Sequence, residues 1–280
     1  MDLSRIEHIL ACTDGSPAAA RAADCAVRMA HAFGARVTLL RVGNPASAPV
    51  NPPGATDSDA VRARAEELGV PISDLQIEAG DPRNAILDAA GNLAPDLICV
   101  GRSGQSGIRR MLLGSTTLNL VREGSWPILV LGEQVPVPAV GVFRRILVPV
   151  DFSEPSRLAA EDALKLVPPV GATVELLHVV DCVHWPPYLP AGWMENMRDA
   201  ATGQIARFAA ALSGRCATGV IIGAPYRSIC DRADERACDL ILLAGSGIGA
   251  LERWMVGSVT ERTLGLSRKP VLVVPADRGA

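Results

Sequence analysis

The chain has 280 residues, about half of them apolar and a fifth charged, with a formal net charge of −3. That length suits about two domains of roughly 100–200 residues each, and so small a net charge gives no general reason to expect nucleic acid, an anionic membrane or another polyanion as partner. Aromatic residues make up only 4% of the chain, which favours parallel strands under Ala-rich helices over an aromatic-rich β-sandwich.

In chain order, the opening residues MDLSRIEHILACTDGS place Asp2, Arg5 and Glu7 ahead of any apolar run. The segment therefore lacks the basic and apolar regions of a secretory signal. No apolar run approaches the ~18 residues of a membrane span. Seven cysteines form no CxxC pair, and most sit in apolar settings such as those of Cys12 and Cys99. They read as buried thiols in a reducing interior, and the expected location is the cytoplasm.

A strand over 6–13 leads through Asp14-Gly15-Ser16-Pro17 into an Ala-rich helix that stops at Gly34. Ser16 is placed as N-cap, Pro17 at the first helical position and Gly34 just past the end. A second strand (36–42) is followed by a Pro-rich loop and a charged helix over 57–69. A third strand at 74–79 leads into a helix over 82–93. The segment DLICVG (96–101) is a fully apolar fourth strand, a helix opens near 115, and WPILVL (126–131) carries a fifth strand. Strands alternating with helices call for a parallel sheet with right-handed crossovers.

The chain then repeats itself. GARVTLLRV matches GATVELLHV, and the segment around Asp14 matches that around Asp151, both 137 positions on; PDLICVG matches CDLILLA 143 positions on. A repeat of ~140 residues is a domain and not a solenoid unit. The expected domains are 1–138 and 139–280, joined by the Pro- and Val-rich segment 133–141. Each is an α/β, Rossmann-like, doubly wound five-stranded domain. With strand order 3-2-1-4-5, the crevice at the switch between strands 1 and 4 faces Asp14 toward the loop after Gly101.

That loop reads GRSGQSGIRRMLLGST: Gly101, Gly104 and Gly114, then Ser115. It lacks the Lys of a Walker A loop and is not the dinucleotide GxGxxG. Glycines allow close backbone approach, and the unpaired N–H groups of the helix opening at Ser115 favour an anion. The context favours a phosphate cradle over a purely structural loop. Arg102, Arg109 and Arg110 add positive charge, two of which the bland reading leaves in solvent.

These residues resemble the universal stress proteins in tandem arrangement. The resemblance rests on the G-x2-G-x9-G-S signature, Asp14 after strand 1, Gly80-Asp81-Pro82 after strand 3 and the terminal P-x-L-V strand of each copy. Family members with the glycine signature bind ATP, so the resemblance implies a site for ATP, AMP or ADP with Mg²⁺. Thr13 and Asp14 would lie beside the adenosine, with Asp14 contacting ribose or helping to hold the metal. Val42 would meet adenine through its backbone, and Val100, Gly101 and Arg102 would lie near the ribose and loop. Gly104, Gly114, Ser115, Thr116 and Thr117 would line the phosphates. No residue is assigned a catalytic role.

The second copy departs from the signature: Ala244 stands for the first Gly, with Gly247, Gly257 and Ser258 following. A weaker site is expected there, built from Asp151, Val179, Gly247, Gly257, Ser258 and Thr260, because a Cβ at 244 is expected where backbone and ribose meet. The terminal strands are expected to pair across a pseudo-two-fold within the chain, with further homo-oligomerisation. His178, Cys182 and His184 have types suited to zinc, but a packed histidine is the better reading. No G-x-S-x-G elbow accompanies the four histidines. An ATP-binding regulatory protein is the favoured function. The alternatives are a nucleotide-free scaffold and a slow ATPase.

Overall fold

The computed structural model describes residues 3–42, 57–77, 80–103, 113–123, 125–139, 141–167, 171–183, 185, 190, 192–245 and 257–276. The first half runs β1 (His8–Thr13), α1 (Pro17–Phe33), β2 (Arg36–Val42), α2 (Asp57–Leu68), β3 (Ile72–Ile77), α3 (Pro82–Leu93), β4 (Leu97–Gly101), α4 (Ser115–Glu123) and β5 (Ile128–Leu131). The second runs β6 (Arg145–Pro149), α5 (Glu154–Lys165), β7 (Thr173–Asp181), α6 (Trp193–Ala210), β8 (Ala217–Gly223), α7 (Pro225–Glu235), β9 (Leu240–Ala244), α8 (Ser258–Leu266) and β10 (Val271–Val274).

Local chemistry sets the helix ends. The Ser16 side chain accepts from Ala19 N, Pro17 opens α1, and Gly34 closes it in the left-handed region, as the sequence predicts. Asp81 caps α3 through Asn84 N, with Pro82 next, so the Gly-Asp-Pro motif is explained as a helix start. Its counterpart at the head of α7 is Ala224, which offers no side-chain cap. Asp96 accepts from the N–H groups of Glu7 and His8 at 2.8 and 2.9 Å. Asp239 does the same for Arg144 and Arg145 at 2.8 Å each. In both halves an aspartate thus fixes where the first strand begins.

The strands form one ten-stranded sheet in the order β3-β2-β1-β4-β5-β10-β9-β6-β7-β8. Each half has the expected 3-2-1-4-5 order and is parallel within itself. The two join where β5 meets β10 antiparallel, Leu129 opposite Leu272. Pairing the terminal strands removes two open edges. One apolar layer, containing Ala22, Val61, Ala159 and Ile205, packs α1, α2, α5 and α6 on one face. The other, containing Ile86, Leu120, Ile229 and Leu264, packs α3, α4, α7 and α8 on the opposite face. Both layers run across the seam, so the halves share their core.

The connector is packed against this unit. Val135 and Phe143 are buried, and Arg28 Nη1 donates to Ala139 O at 3.0 Å. Gly141 has φ +70°, and a Cβ there would fall on the Arg28 carbonyl. Only glycine fits this close crossing.

Candidate functional site

In the first half the carboxyl ends of β1 and β4 are neighbours, with Ala11 paired to Cys99. This is the point where strand order reverses, the place where open α/β sheets bind ligands. Three turns of chain converge there.

The first is the exit from β1. Thr13 is buried and its Oγ1 accepts from Gly15 N at 3.1 Å. Asp14 is exposed, and its Oδ1 accepts from Ser16 N at 3.0 Å. The carboxylate is thereby fixed at the crevice mouth. Val42, half-buried, ends β2 beside it.

The second and third are the two ends of the glycine loop, and they are stitched together. Gly114 N donates to Arg102 O at 2.8 Å. Thr117 Oγ1 donates to Gly101 O at 2.7 Å. Ser16 Oγ donates to Ser103 O at 3.4 Å, tying the loop to the cap of α1. Leu118 N to Gly114 O is the first bond of α4, which leaves the N–H groups of Ser115, Thr116 and Thr117 without partners inside the helix. Ser115 is exposed and Thr116 half-buried. Val100 is buried beneath them. The helix N-terminus therefore meets the crevice with its donors and the positive end of its dipole. Gly104, Arg109 and Arg110 lie outside the described residues, as does Gly247.

Three sequence expectations change. Thr117 was expected to offer its hydroxyl to phosphate. That hydrogen instead goes to Gly101 O, so Thr117 closes the loop. Arg102 was expected to place its charge beside the loop; its Nη1 instead reaches Gly265 O (3.3 Å) and Ser267 O (2.9 Å) in the second half. Burial lowers its pKa from the usual arginine value. The third concerns Gly101. A Cβ there would lie 2.7 Å from Ala19 N and 2.9 Å from Ala18 C. The missing side chain makes room for the first turn of α1, so this glycine is required by helix–strand packing. Ala244 is consequently no sign, by itself, of a ribose turned away.

In the second half the loop closes by the same bonds: Thr260 Oγ1 to Ala244 O at 3.1 Å and Gly257 N to Gly245 O at 3.3 Å. Gly257 caps α8 and Ser258 opens it. Asp151 Oδ1 accepts from Ser153 N (3.0 Å) and Ser153 Oγ (2.5 Å). Val179 pairs with Ile221 on β8. The difference lies next to Asp151. Phe152 occupies the position of Gly15 with φ +64°, its ring 4.3 Å from that of His178 and 5.6 Å from that of Phe208. His178 Nδ1 donates to Val150 O at 2.8 Å. This imidazole is a packed, hydrogen-bonded group. Among the described residues no cluster of three metal-ligating side chains occurs; His184 lies outside them.

Four of the thiols are shielded from solvent. Cys12, Cys25, Cys99 and Cys238 are buried, and burial pushes Cys12 and Cys25 up to about 12. Sequence reasoning missed Gly132, whose lack of a side chain leaves space for the Arg102 guanidinium, and the left-handed Phe152. The alignment of Phe152 with Gly15 was the available signal for the latter.

A doubly wound domain written twice, each copy with a loop closed onto a helix N-terminus beside an aspartate turn, defines a tandem α/β protein. The family model described as the Universal stress protein family matches residues 5–132 and again 143–275. The chain belongs to that family, as a tandem two-domain member. It is 33% identical over 143 residues to universal stress protein MJ0531 of Methanocaldococcus jannaschii, covering 48% of this chain and 82% of that one. It is 27% identical over 194 residues to universal stress protein Rv1996 of Mycobacterium tuberculosis, covering 65% of this chain and 60% of that one. The crystal structure of a universal stress protein from Archaeoglobus fulgidus superposes with a TM-score of 0.66 over 98% of both chains at 20% identity. That likeness is one of fold.

Proposed function

We propose that the chain is an adenine-nucleotide-binding regulatory protein of the stress response, with ATP held in the crevice of the first half. The observation that carries this reading is the stitched glycine loop. Its two ends are bonded so that the donors of α4 sit at the end of β4, across from the Asp14 turn. An anionic ligand there meets backbone N–H groups already fixed in place, which lowers the ordering cost of binding. Thr13, Asp14, Val42, Val100 and Gly101 form the nucleoside end; Gly104, Gly114, Ser115 and Thr116 form the phosphate end. Asp14 is the carboxylate suited to Mg²⁺, which is bound by one or two carboxylates together with phosphate oxygens. Its donor set fits a cation carried in by the nucleotide.

The second crevice, from Asp151, Val179, Gly247, Gly257, Ser258 and Thr260, is proposed as the weaker site. Its loop has the same closure, and the feature that sets it apart is the aromatic packing of Phe152. The domains are placed at 1–138 and 139–280, in a cytoplasmic protein. Among the described residues no helix is long and apolar enough to cross a membrane. Among the described residues β3 and β8 end the sheet with one unpaired edge each, the strands through which further self-association is proposed.

The test is mass spectrometry of small molecules released from freshly purified protein, with titration calorimetry of ATP and Mg²⁺. About one adenine nucleotide per chain, lost in Gly114→Asp, supports the reading. About two makes the crevices equivalent. No nucleotide and no binding of added ATP overturns it in favour of a scaffold, and phosphate release that disappears in Gly114→Asp would establish an ATPase.

A further inference from the structure

Arg102 is the first residue of the glycine loop, and its backbone and side chain do separate things. The backbone is part of the loop closure: Arg102 N donates to Leu131 O at 2.7 Å and its carbonyl accepts from Gly114 N. The side chain reaches the other half of the chain. It crosses the seam and donates to Gly265 O and Ser267 O, carbonyls at the last turn of α8.

The second half supplies a control. At the matching position stands Gly245, whose N–H donates to Val274 O at 2.8 Å and whose carbonyl accepts from Gly257 N. The loop therefore closes with no side chain at this position. The Arg102 guanidinium is an addition to the fold unit, and no reciprocal arm leaves position 245. Room for it is also made in the sequence. A Cβ at Gly132 would lie 3.0 Å from Arg102 Nη2 and 3.1 Å from Cζ.

What this arm holds matters. Cations at a helix C-terminus complement the last carbonyls and the negative end of the dipole. The helix so capped, α8, has its N-terminus at Gly257–Ser258, the phosphate end of the second crevice. Nine residues at 1.5 Å per residue make about 13 Å between the two ends, short enough to move as one rigid element. Arg122 of α4 also pairs with Glu261 of α8 at 3.1 Å, so the two loop-opening helices touch across the seam.

We propose that Arg102 is a positioning residue through which occupancy of the first crevice fixes α8 and so prepares the second. This deepens the proposed function and rests on its reading that the first crevice binds ATP. A ligand bound against the Gly101–Gly114 closure adds to the restraint on the Arg102 backbone, and through its side chain on the last turn of α8. The coupling is one-armed in structure but reciprocal in energy: an anion on the α8 N-terminus tightens the first site by the same factor.

The experiment is hydrogen exchange of α8 amides in the full-length protein, with and without Mg·ATP at concentrations that calorimetry shows to be saturating for each variant. Wild type is expected to slow exchange across residues 260–267 by about 5-fold or more, the lower end of ordinary coupling factors. Arg102→Gln is expected to abolish that slowing at full occupancy, and Arg102→Lys to restore part of it. Gly132→Ala, which crowds the guanidinium and leaves the charge in place, is expected to weaken the response and keep first-site ATP affinity. ATP binding by wild type with no change in α8, or an undiminished response in Arg102→Gln and Gly132→Ala alike, overturns the coupling alone. Failure of wild type to bind ATP overturns the functional reading and the coupling with it. If Arg102→Gln does not fold, Gly132→Ala decides.

Discussion

The two halves of the chain close their glycine loops with matching bonds and yet differ in the residues that surround those bonds. Thr117 holds Gly101 as Thr260 holds Ala244, and Gly114 meets Arg102 as Gly257 meets Gly245. The exits from the first strands part company: Gly15 at φ +79° in one, Phe152 at φ +64° in the other. Loop closure is thus kept by backbone bonds together with a threonine common to both halves, whereas the residue at the strand exit has diverged. The loss of the first signature glycine in the second half is the less informative difference, and the gain of Phe152 the more informative.

The sharpest way to break this comparison is to exchange the first glycine. Gly101→Ala puts a methyl against the α1 backbone at Ala18 and Ala19. Backbone has little room to yield, and the expected loss is about 3 kcal/mol of stability. Ala244→Gly removes a side chain that fits and is expected to cost no more than about 1 kcal/mol. Urea unfolding of both variants measures the gap. Equal losses would mean that the two halves pack their first helices alike.

The strand-exit difference makes a smaller, signed prediction. A bulky residue in the left-handed region carries about 1–2 kcal/mol of backbone strain. Phe152→Ala keeps that strain and loses the ring packing on His178 and Phe208; Phe152→Gly loses both. The glycine variant is therefore expected to be more stable than the alanine variant by about 1 kcal/mol, the reverse of the usual order. Melting curves showing alanine the more stable would remove the strain argument.

The helix caps offer a third comparison. Asp81 caps α3 where Ala224 leaves α7 uncapped. Asp81→Ala is expected to cost about 1 kcal/mol, and Ala224→Asp to gain a comparable amount if the side chain reaches the third helical N–H as Asp81 does. No gain from Ala224→Asp would show that Tyr226 and the neighbouring Arg262, 5.1 Å from its ring centroid, hold that turn already.

These cases show what could be read from the chain beforehand. The alternation of strands and helices, the two copies and the helix starts after Ser16 and Asp81 followed from periodicity, the repeat and local turn chemistry, whereas the seam pairing was implied by the resemblance. The third strand, expected over 74–79, begins two residues earlier at Ile72, while 78 and 79 lie outside the described residues; this sheet-edge strand is half exposed and has no continuous apolar run to mark its start. The reason for Gly101, the destination of Arg102 and the conformation of Phe152 depend on partners far away in sequence. Arg102 and Ser267 are 165 positions apart. A charged residue beside a glycine loop reads as a ligand for phosphate, and only the packed seam reveals carbonyls that claim it first.

The smallest effect separates the halves by pH. His8 begins β1 buried, its Nε2 at 2.9 Å from Thr38 Oγ1. Burial and then the charge of Arg36 lower its pKa, against a smaller opposing pull from Leu93 and Asp96. The folded state thus prefers neutral imidazole, while the unfolded chain takes up a proton near pH 6.5. As pH falls below that value the unfolded state gains a proton the folded state resists, so stability drops until the lowered folded pKa is passed. The slope from one such group cannot exceed about 1.4 kcal/mol per pH unit. In the second half the matching position is Arg145, so the halves differ here in residue type. His8→Gln is therefore expected to flatten the decline in urea-unfolding stability from pH 7 toward 5, and an unchanged decline would show that His8 does not carry the acid sensitivity.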